Sequence, residues 1–297
     1  MQLKGLTIGS KVYITAPAKA IDPACITNAV SFLEQNGFQV QVAAHCLGQF
    51  NYFSGSDFER SADLQKALDD ENVDAIWCAR GGYGAVRIVD ELNWKNFLEK
   101  PKWLIGFSDI TVFHNRINGF NVPSIHATMP LNLKENSKSA LQSFLSAIKG
   151  DKLSYNLNSS FPQTEGSAQG LLVGGNLSIL YSLLGTNDNI DYRDKILFIE
   201  DVGEQLYNID RMLYTFDKAG ILDQIKGLIV GGFTDLKDTA IPFGQNHKEI
   251  ILSKFTKRNI PIAFDFPAGH IDDNRALVFG VNYHFEVHKN YVKLFQL

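Results

Sequence analysis

Asp74-Ala75-Ile76-Trp77-Cys78-Ala79-Arg80-Gly81-Gly82-Tyr83-Gly84 is an apolar run that stops at a glycine-rich loop. Its length and flanks predict a buried strand followed at once by a helix. The same rhythm extends in both directions. Upstream, Lys11-Val12-Tyr13-Ile14-Thr15-Ala16 is a short strand ending at Pro17, and Asp22-Pro23 pairs an N-cap with a first-turn proline. Ile26, Ala29, Val30 and Leu33 then fall on one helical face, which Gly37 closes. Phe38-Gln39-Val40-Gln41-Val42 reads as a strand, and Ser56-Asp57-Phe58-Glu59 as a capping box opening a helix to about Leu68. Downstream, another strand ends at Phe107. The alternation predicts an α/β fold with a parallel, doubly wound sheet. In such sheets ligands gather beyond the carboxyl ends of the strands, where the Gly81-Gly82 loop and Ser108 both fall.

The pattern changes between Asp151 and Gln169, a polar stretch rich in Ser, Asn and Gly. Residues 1–150 are therefore read as one domain, 151–169 as a linker and 170–297 as a second domain. The second half has strands at Lys195–Asp201 and Gly227–Gly232, with a helix presenting Ile209, Met212, Leu213 and Phe216 on one face. Two closing strands are expected near Ala276–Val281 and Tyr283–Val287. This half reads as a β-rich α/β unit.

Bulk properties exclude several classes. With 297 residues and 45% hydrophobic side chains, the chain can bury sizeable cores and is not a disordered one. A net charge of -4 without any basic block argues against a nucleic-acid partner. Cys25, Cys46 and Cys78 are odd in number and lack CxxC spacing, so they read as reduced thiols and not as a disulfide framework or a zinc site. Neither a signal peptide at Met1–Leu6 nor a membrane span is expected, which gives a cytoplasmic reading.

The residues that could carry chemistry each have two readings. In Lys102-Trp103-Leu104-Ile105-Gly106-Phe107-Ser108-Asp109-Ile110-Thr111, Ser108 is either a helix N-cap or a nucleophile lifted by a strand-to-helix turn beside backbone N–H groups. The stretch is not a GxSxG elbow, because Ile110 stands at the second glycine position. Glu200 ends an apolar strand: it is either a solvated loop acid or the carboxylate that orients an imidazole. His270, in Pro267-Ala268-Gly269-His270-Ile271-Asp272-Asp273, is either structural or a base, and His126 competes with it. His114 falls on the helix after Ser108, where packing is the expectation, and His45, His247, His284 and His288 have no constellation around them. Gly82 is either a turn glycine or a close-approach residue whose N–H binds an oxyanion. The loop lacks the GxGxxG and GK[ST] patterns of nucleotide binding. No metal motif is present; Asp272-Asp273 alone is weak evidence for a cation. Ser108, Glu200 and His270 give the chain order Ser, acid, His, one of the orders in which triads occur.

Taken in order, Ala79-Arg80-Gly81-Gly82-Tyr83-Gly84, Gly106-Phe107-Ser108-Asp109, Gly174-Gly175-Asn176-Leu177, Phe198-Ile199-Glu200-Asp201 and Ala268-Gly269-His270 resemble the LD-carboxypeptidase family of serine peptidases. That family includes muramoyltetrapeptide carboxypeptidases and microcin C immunity peptidases. The resemblance runs from near Lys11 to near Val287. It implies a Rossmann-like N-terminal domain carrying the nucleophile, a C-terminal domain carrying acid and base, no metal or organic cofactor, and a homodimer. It implies Ser108 as nucleophile, His270 as general base, Glu200 as orienting acid, and the N–H groups of Gly82 and Asp109 as oxyanion hole. Arg80 is a positional candidate for the substrate's free carboxylate. One departure is local: family members often carry glycine-proline after the residue matching His126, where this chain has Ala127-Thr128.

The expected activity is removal of the terminal D-alanine from a cytoplasmic murein tetrapeptide. The alternative within the family is an immunity-type peptidase cleaving peptide- or aminoacyl-nucleotide amides. The alternative of another class is a non-catalytic two-domain ligand-binding protein. A nucleotide-dependent oxidoreductase is disfavoured, since the first strand–helix turn lacks a dinucleotide fingerprint.

Overall fold

The computed structural model describes residues 3–158 and 164–297, and the chain divides into two compact units. The first comprises residues up to Asp151 together with Asp272–Val278. Its elements run β1 (Lys11–Thr15), α1 (Pro23–Gln35), β2 (Gln39–Val42), α2 (Asp57–Asp69), β3 (Ala75–Cys78), α3 (Ala85–Ile88), α4 (Lys95–Glu99), β4 (Trp103–Gly106), α5 (Thr111–Gly119), β5 (Ser124–His126) and α6 (Lys138–Ile148). Asp22 caps α1 by accepting from the Ala24 N–H, and Ser56 and Glu59 form a reciprocal capping box on α2. These local hydrogen bonds satisfy N–H groups that a helix start leaves unpaired, and fix where each helix begins.

β2, β1, β3, β4 and β5 lie in that order and are parallel throughout. The order reverses between β1 and β3, so a crevice opens beyond the carboxyl ends of those two strands. The core is built from strand residues such as Ile14, Ile76 and Leu104, with Trp77 donating its indole N–H to the Thr128 carbonyl at 2.8 Å. Burying a large apolar side chain of this kind contributes about 1.5–3 kcal/mol.

The second unit comprises Lys152–Ile271 and Phe279–Leu297. Its elements are β6 (Ser154–Asn158), β7 (Gly166–Asn176), α7 (Leu177–Ser182), β8 (Ile196–Val202), α8 (Leu206–Lys218), β9 (Gly227–Thr234), α9 (His247–Ser253) and β10 (Ile262–Ala263). After β11 (Leu277–Phe279) come β12 (Asn282–Val287) and β13 (Tyr291–Gln296). The sheet order is β10-β9-β8-β7-β12-β13-β6, parallel from β10 to β7 and antiparallel from β7 to β6. Ile209, Met212, Leu213 and Phe216 of α8 pack with Val173, Leu197, Ile199, Leu228 and Val230 in one core.

Three features differ from the sequence reading. The polar stretch read as a linker contains β6 and the start of β7; residues 159–163 of that stretch lie outside the described residues. β6 is an edge strand whose exposed and buried residues alternate, so its composition is that of a loop. β11, expected among the closing strands of the second half, instead lies beside β5 at the edge of the first sheet. All three of its residues are buried, and a short apolar run does not encode which sheet it joins. β13 was not anticipated.

Candidate active site

In the first unit, β4 ends at Gly106, Phe107 is extended, and Ser108 turns to φ +65°. Among the described residues, the other non-glycine residues with positive φ are Asn51, Asn121, Asp194, Asp235 and Asp265. Asn and Asp tolerate this conformation through local hydrogen bonding, whereas a serine there is held by its surroundings. Ser108–Ile110 form a 3₁₀ turn leading into α5. A Cβ on Gly106 would lie 3.0 Å from the Ile110 side chain and 3.2 Å from Cys78 Cβ. Gly106 thus lets the turn fold back over the strand end, with Ile110 filling the place of an elbow's second glycine.

Gly81 faces this turn. A Cβ at Gly81 would sit 3.0 Å from Ser108 Cβ, 3.2 Å from Ser108 Oγ and 3.1 Å from the Asp109 nitrogen. The missing side chain leaves a gap bordered by both a hydroxyl and a backbone N–H. Gly82 has φ +107°, and a Cβ there would meet Lys19 Cβ and Tyr52 Oη, each at 3.1 Å. The loop's far end is held twice. Asp109 Oδ2 accepts from the Ala85 N–H at 2.9 Å, and Arg60 Nη1 donates to the Gly84 carbonyl at 3.1 Å. Arg60 is fully buried and also donates to Pro17 O, Gly55 O and Asp57. Burial pushes the Asp109 carboxyl up to about 6, against the Ala85 N–H and the Arg60 charge, which lower it. Arg80 donates through Nη1 to the Ala20 carbonyl at 2.9 Å.

In the second unit, Glu200 and Asp201 are consecutive and both buried. The β8–β9 register shifts between Ile199 and Asp201, an irregularity of the kind that re-aims side chains beside functional sites. Asp201 accepts from Asn176 Nδ2 (2.9 Å), the Ser178 N–H (2.9 Å) and the Val202 N–H (2.8 Å). Burial first, then the Glu200 charge, pushes its carboxyl up to about 7 against those hydrogen bonds. Glu200 Oε2 lies 2.5 Å from His270 Nδ1. A carboxylate only accepts, so Nδ1 carries the proton and Nε2 of the neutral ring is the basic nitrogen. Burial pulls the His270 pKa down, yet the Glu200 charge and hydrogen bond together with the Asp201 and Asp235 charges outweigh it, and the net shift is upward. The backbone also holds this residue: Thr234 Oγ1 donates to the His270 carbonyl at 3.0 Å, and the Gly232 N–H to Ala268 O at 2.8 Å.

Residues 12–127 match the LD-carboxypeptidase N-terminal domain and residues 169–285 the LD-carboxypeptidase C-terminal domain. A probable murein peptide carboxypeptidase of Bacillus subtilis is 34% identical, covering 93% of this chain and 89% of its own. The chain belongs to the LD-carboxypeptidase family.

It is therefore an enzyme of a serine hydrolase family. A murein tetrapeptide carboxypeptidase of Pseudomonas aeruginosa is 29% identical, covering 92% of this chain and 92% of its own. The crystal structure of a muramoyltetrapeptide carboxypeptidase from Oxalobacter formigenes superposes with TM-score 0.88 at 26% identity, covering 96% of this chain and 98% of the other. The family's two-part α/β architecture accounts for the two sheets described above.

Other sequence candidates have structural occupations in this LD-carboxypeptidase. His114 is buried, bridging Ser124 Oγ (2.8 Å) and the Gly106 carbonyl (2.9 Å), and burial lowers its pKa to about 4. His126 is buried at the end of β5 with its ring against Phe107. Asp273 accepts from Ser137 Oγ and pairs with Arg275, while the Asp272 carbonyl accepts from the Ser137 N–H. Among the described residues, no group of three or more His, Cys, Asp or Glu could hold a metal ion, and no helix is long and apolar enough to cross a membrane.

Two residues of the LD-carboxypeptidase motifs have packing roles that their spacing did not reveal. A Cβ on Gly174 would lie 1.9 Å from the Phe198 carbonyl oxygen, so at this position β7 can pair with β8 only with glycine. Gly269 has φ +104°, and a Cβ there would lie 2.7 Å from Glu200 Cβ and 2.9 Å from Oε2. Gly269→Ala is expected to destabilise the protein by about 1–3 kcal/mol and to displace Glu200. Thermal melts together with an NMR titration of His270 check this; an unchanged melt and an unchanged imidazole titration would show that the contact is absent.

Proposed function

We propose that this LD-carboxypeptidase removes the C-terminal D-alanine of a murein tetrapeptide through a Ser108–His270–Glu200 triad. His270 Nε2 takes the Ser108 proton as Oγ attacks the scissile carbonyl carbon. The N–H groups of Gly82 and Asp109 stabilise the oxyanion. His270 then protonates the departing amine and D-alanine leaves. Water, deprotonated by His270, hydrolyses the acyl-enzyme to tripeptide and restores Ser108.

The observation that carries the nucleophile's assignment is its left-handed backbone beside Gly81, with Ser108 Oγ and the Asp109 nitrogen bordering one gap. The 2.5 Å contact between buried Glu200 and His270 supports the acid and base roles. The substrate class rests on the names of the Pseudomonas and Oxalobacter relatives. In this reading the enzyme is a cytoplasmic homodimer that recycles wall peptides and needs no cofactor. Mass spectrometry of a murein tetrapeptide incubated with the wild-type protein tests the activity. Loss of one alanine residue is the expected result, and an unaltered tetrapeptide would overturn it.

A further inference from the structure

Resting on the carboxypeptidase reading, we infer that Lys19 receives the terminal carboxylate of the departing residue, and that Arg80 positions the Lys19 segment without binding substrate. An exopeptidase of this kind must recognise a free carboxylate only a few bonds from the carbonyl it attacks. The cation that does so has to stand beside the oxyanion loop. Lys19 follows β1 and Gly81-Gly82 follow β3, the two strands that flank the reversal in strand order. Both loops therefore reach the crevice in which doubly wound sheets bind ligands.

The contacts are specific. The Lys19 N–H donates to the Gly81 carbonyl at 3.4 Å, and the Ala20 N–H to the Tyr52 carbonyl at 3.1 Å. The aliphatic stem of Lys19 runs along the bare face of Gly82: a Cβ there would be 3.1 Å from Lys19 Cβ and 3.4 Å from Cδ. The ammonium lies 4.7 Å from the centre of the Tyr52 ring, whose hydroxyl borders the same point at Gly82. Lys19 and Tyr52 also line an open cleft of about 510 Å³ with Asp22, Gln49 and Asn51. Asp22 in that cleft already accepts from the Ala24 N–H.

Two neighbouring cations are already paired with a carboxylate, and a third is tied to the Lys19 segment. Arg60 and Arg87 both pair with Asp57, and Arg80 donates to Ala20 O, the carbonyl next to Lys19. Among the described residues, no carboxylate lies within ion-pair distance of the Lys19 ammonium. An ammonium over an aromatic face is a charge held in place with its donors still available for a carboxylate.

The test uses the full-length enzyme and two substrates, a murein tetrapeptide ending in free D-alanine and the same peptide ending in D-alanine amide. Wild type is expected to prefer the free acid by about 10- to 100-fold in kcat/KM, the scale of one charge-assisted hydrogen bond. Lys19→Met is expected to remove that preference, chiefly by raising KM for the free acid. Lys19→Arg is expected to restore most of the preference. Arg80→Met is expected to lower both substrates together. A retained preference in Lys19→Met, or its loss in Arg80→Met alone, overturns the assignment. If wild type cleaves neither peptide, the carboxypeptidase reading itself fails and the inference falls with it.

Discussion

Ser108→Ala is expected to lower murein-tetrapeptide turnover by on the order of ten-thousand-fold or more. In the proposed mechanism no acyl-enzyme forms without Oγ, and the remaining groups are left only to polarise the carbonyl toward water. The fold is expected to survive. Alanine meets the same left-handed backbone as serine, with φ +65°, and its Cβ is already accommodated beside Gly81. The melting temperature and KM should therefore change little while kcat collapses. That split separates a lost nucleophile from a damaged turn: a turn that relaxed on substitution would move the melt. A variant that folds normally and retains a tenth or so of wild-type activity would remove Ser108 from the mechanism.

Glu200→Gln is the second large effect, expected at on the order of a thousand-fold in kcat/KM. Burial lowers the His270 pKa, and the Glu200 charge and hydrogen bond, with smaller help from the Asp201 and Asp235 charges, raise it above the ordinary imidazole value. In the proposed mechanism His270 acts as a neutral base, so activity is expected to fall as pH drops through its pKa. With glutamine the largest remaining influence is burial, so that acid limb should move to lower pH even as the maximum rate drops. Asp201 and Asp235 still act on His270 and limit the shift. A pH–rate profile of the variant reads both changes. An unmoved acid limb would mean that Glu200 does not govern the titration of the base.

What the sequence made legible was local. The capping box at Ser56–Glu59, the proline start of α1 and the buried face of α8 are set by residues three or four apart, and each is found where its spacing places it. The parallel first sheet followed from the strand–helix alternation. His270 and Glu200, seventy residues apart, could be named through motifs, but their hydrogen bond could not be derived from spacing. Three features were hidden for physical reasons. Ser108 gives no glycine signal for its positive φ. Arg60 is a charged helix residue that reads as solvent-facing and is buried only because acceptors converge on it from Pro17, Gly55, Gly84 and Asp57. Lys19 sits near Gly82 because of strand order, which no local pattern encodes.

The measurement that tests the central claim most directly is intact-protein mass spectrometry after rapid acid quenching of enzyme mixed with murein tetrapeptide. A covalent tripeptidyl adduct that maps to the peptide containing Ser108, and is absent from Ser108→Ala, is the expected result. Turnover of tetrapeptide without any adduct on Ser108, or an adduct on another residue, would contradict it.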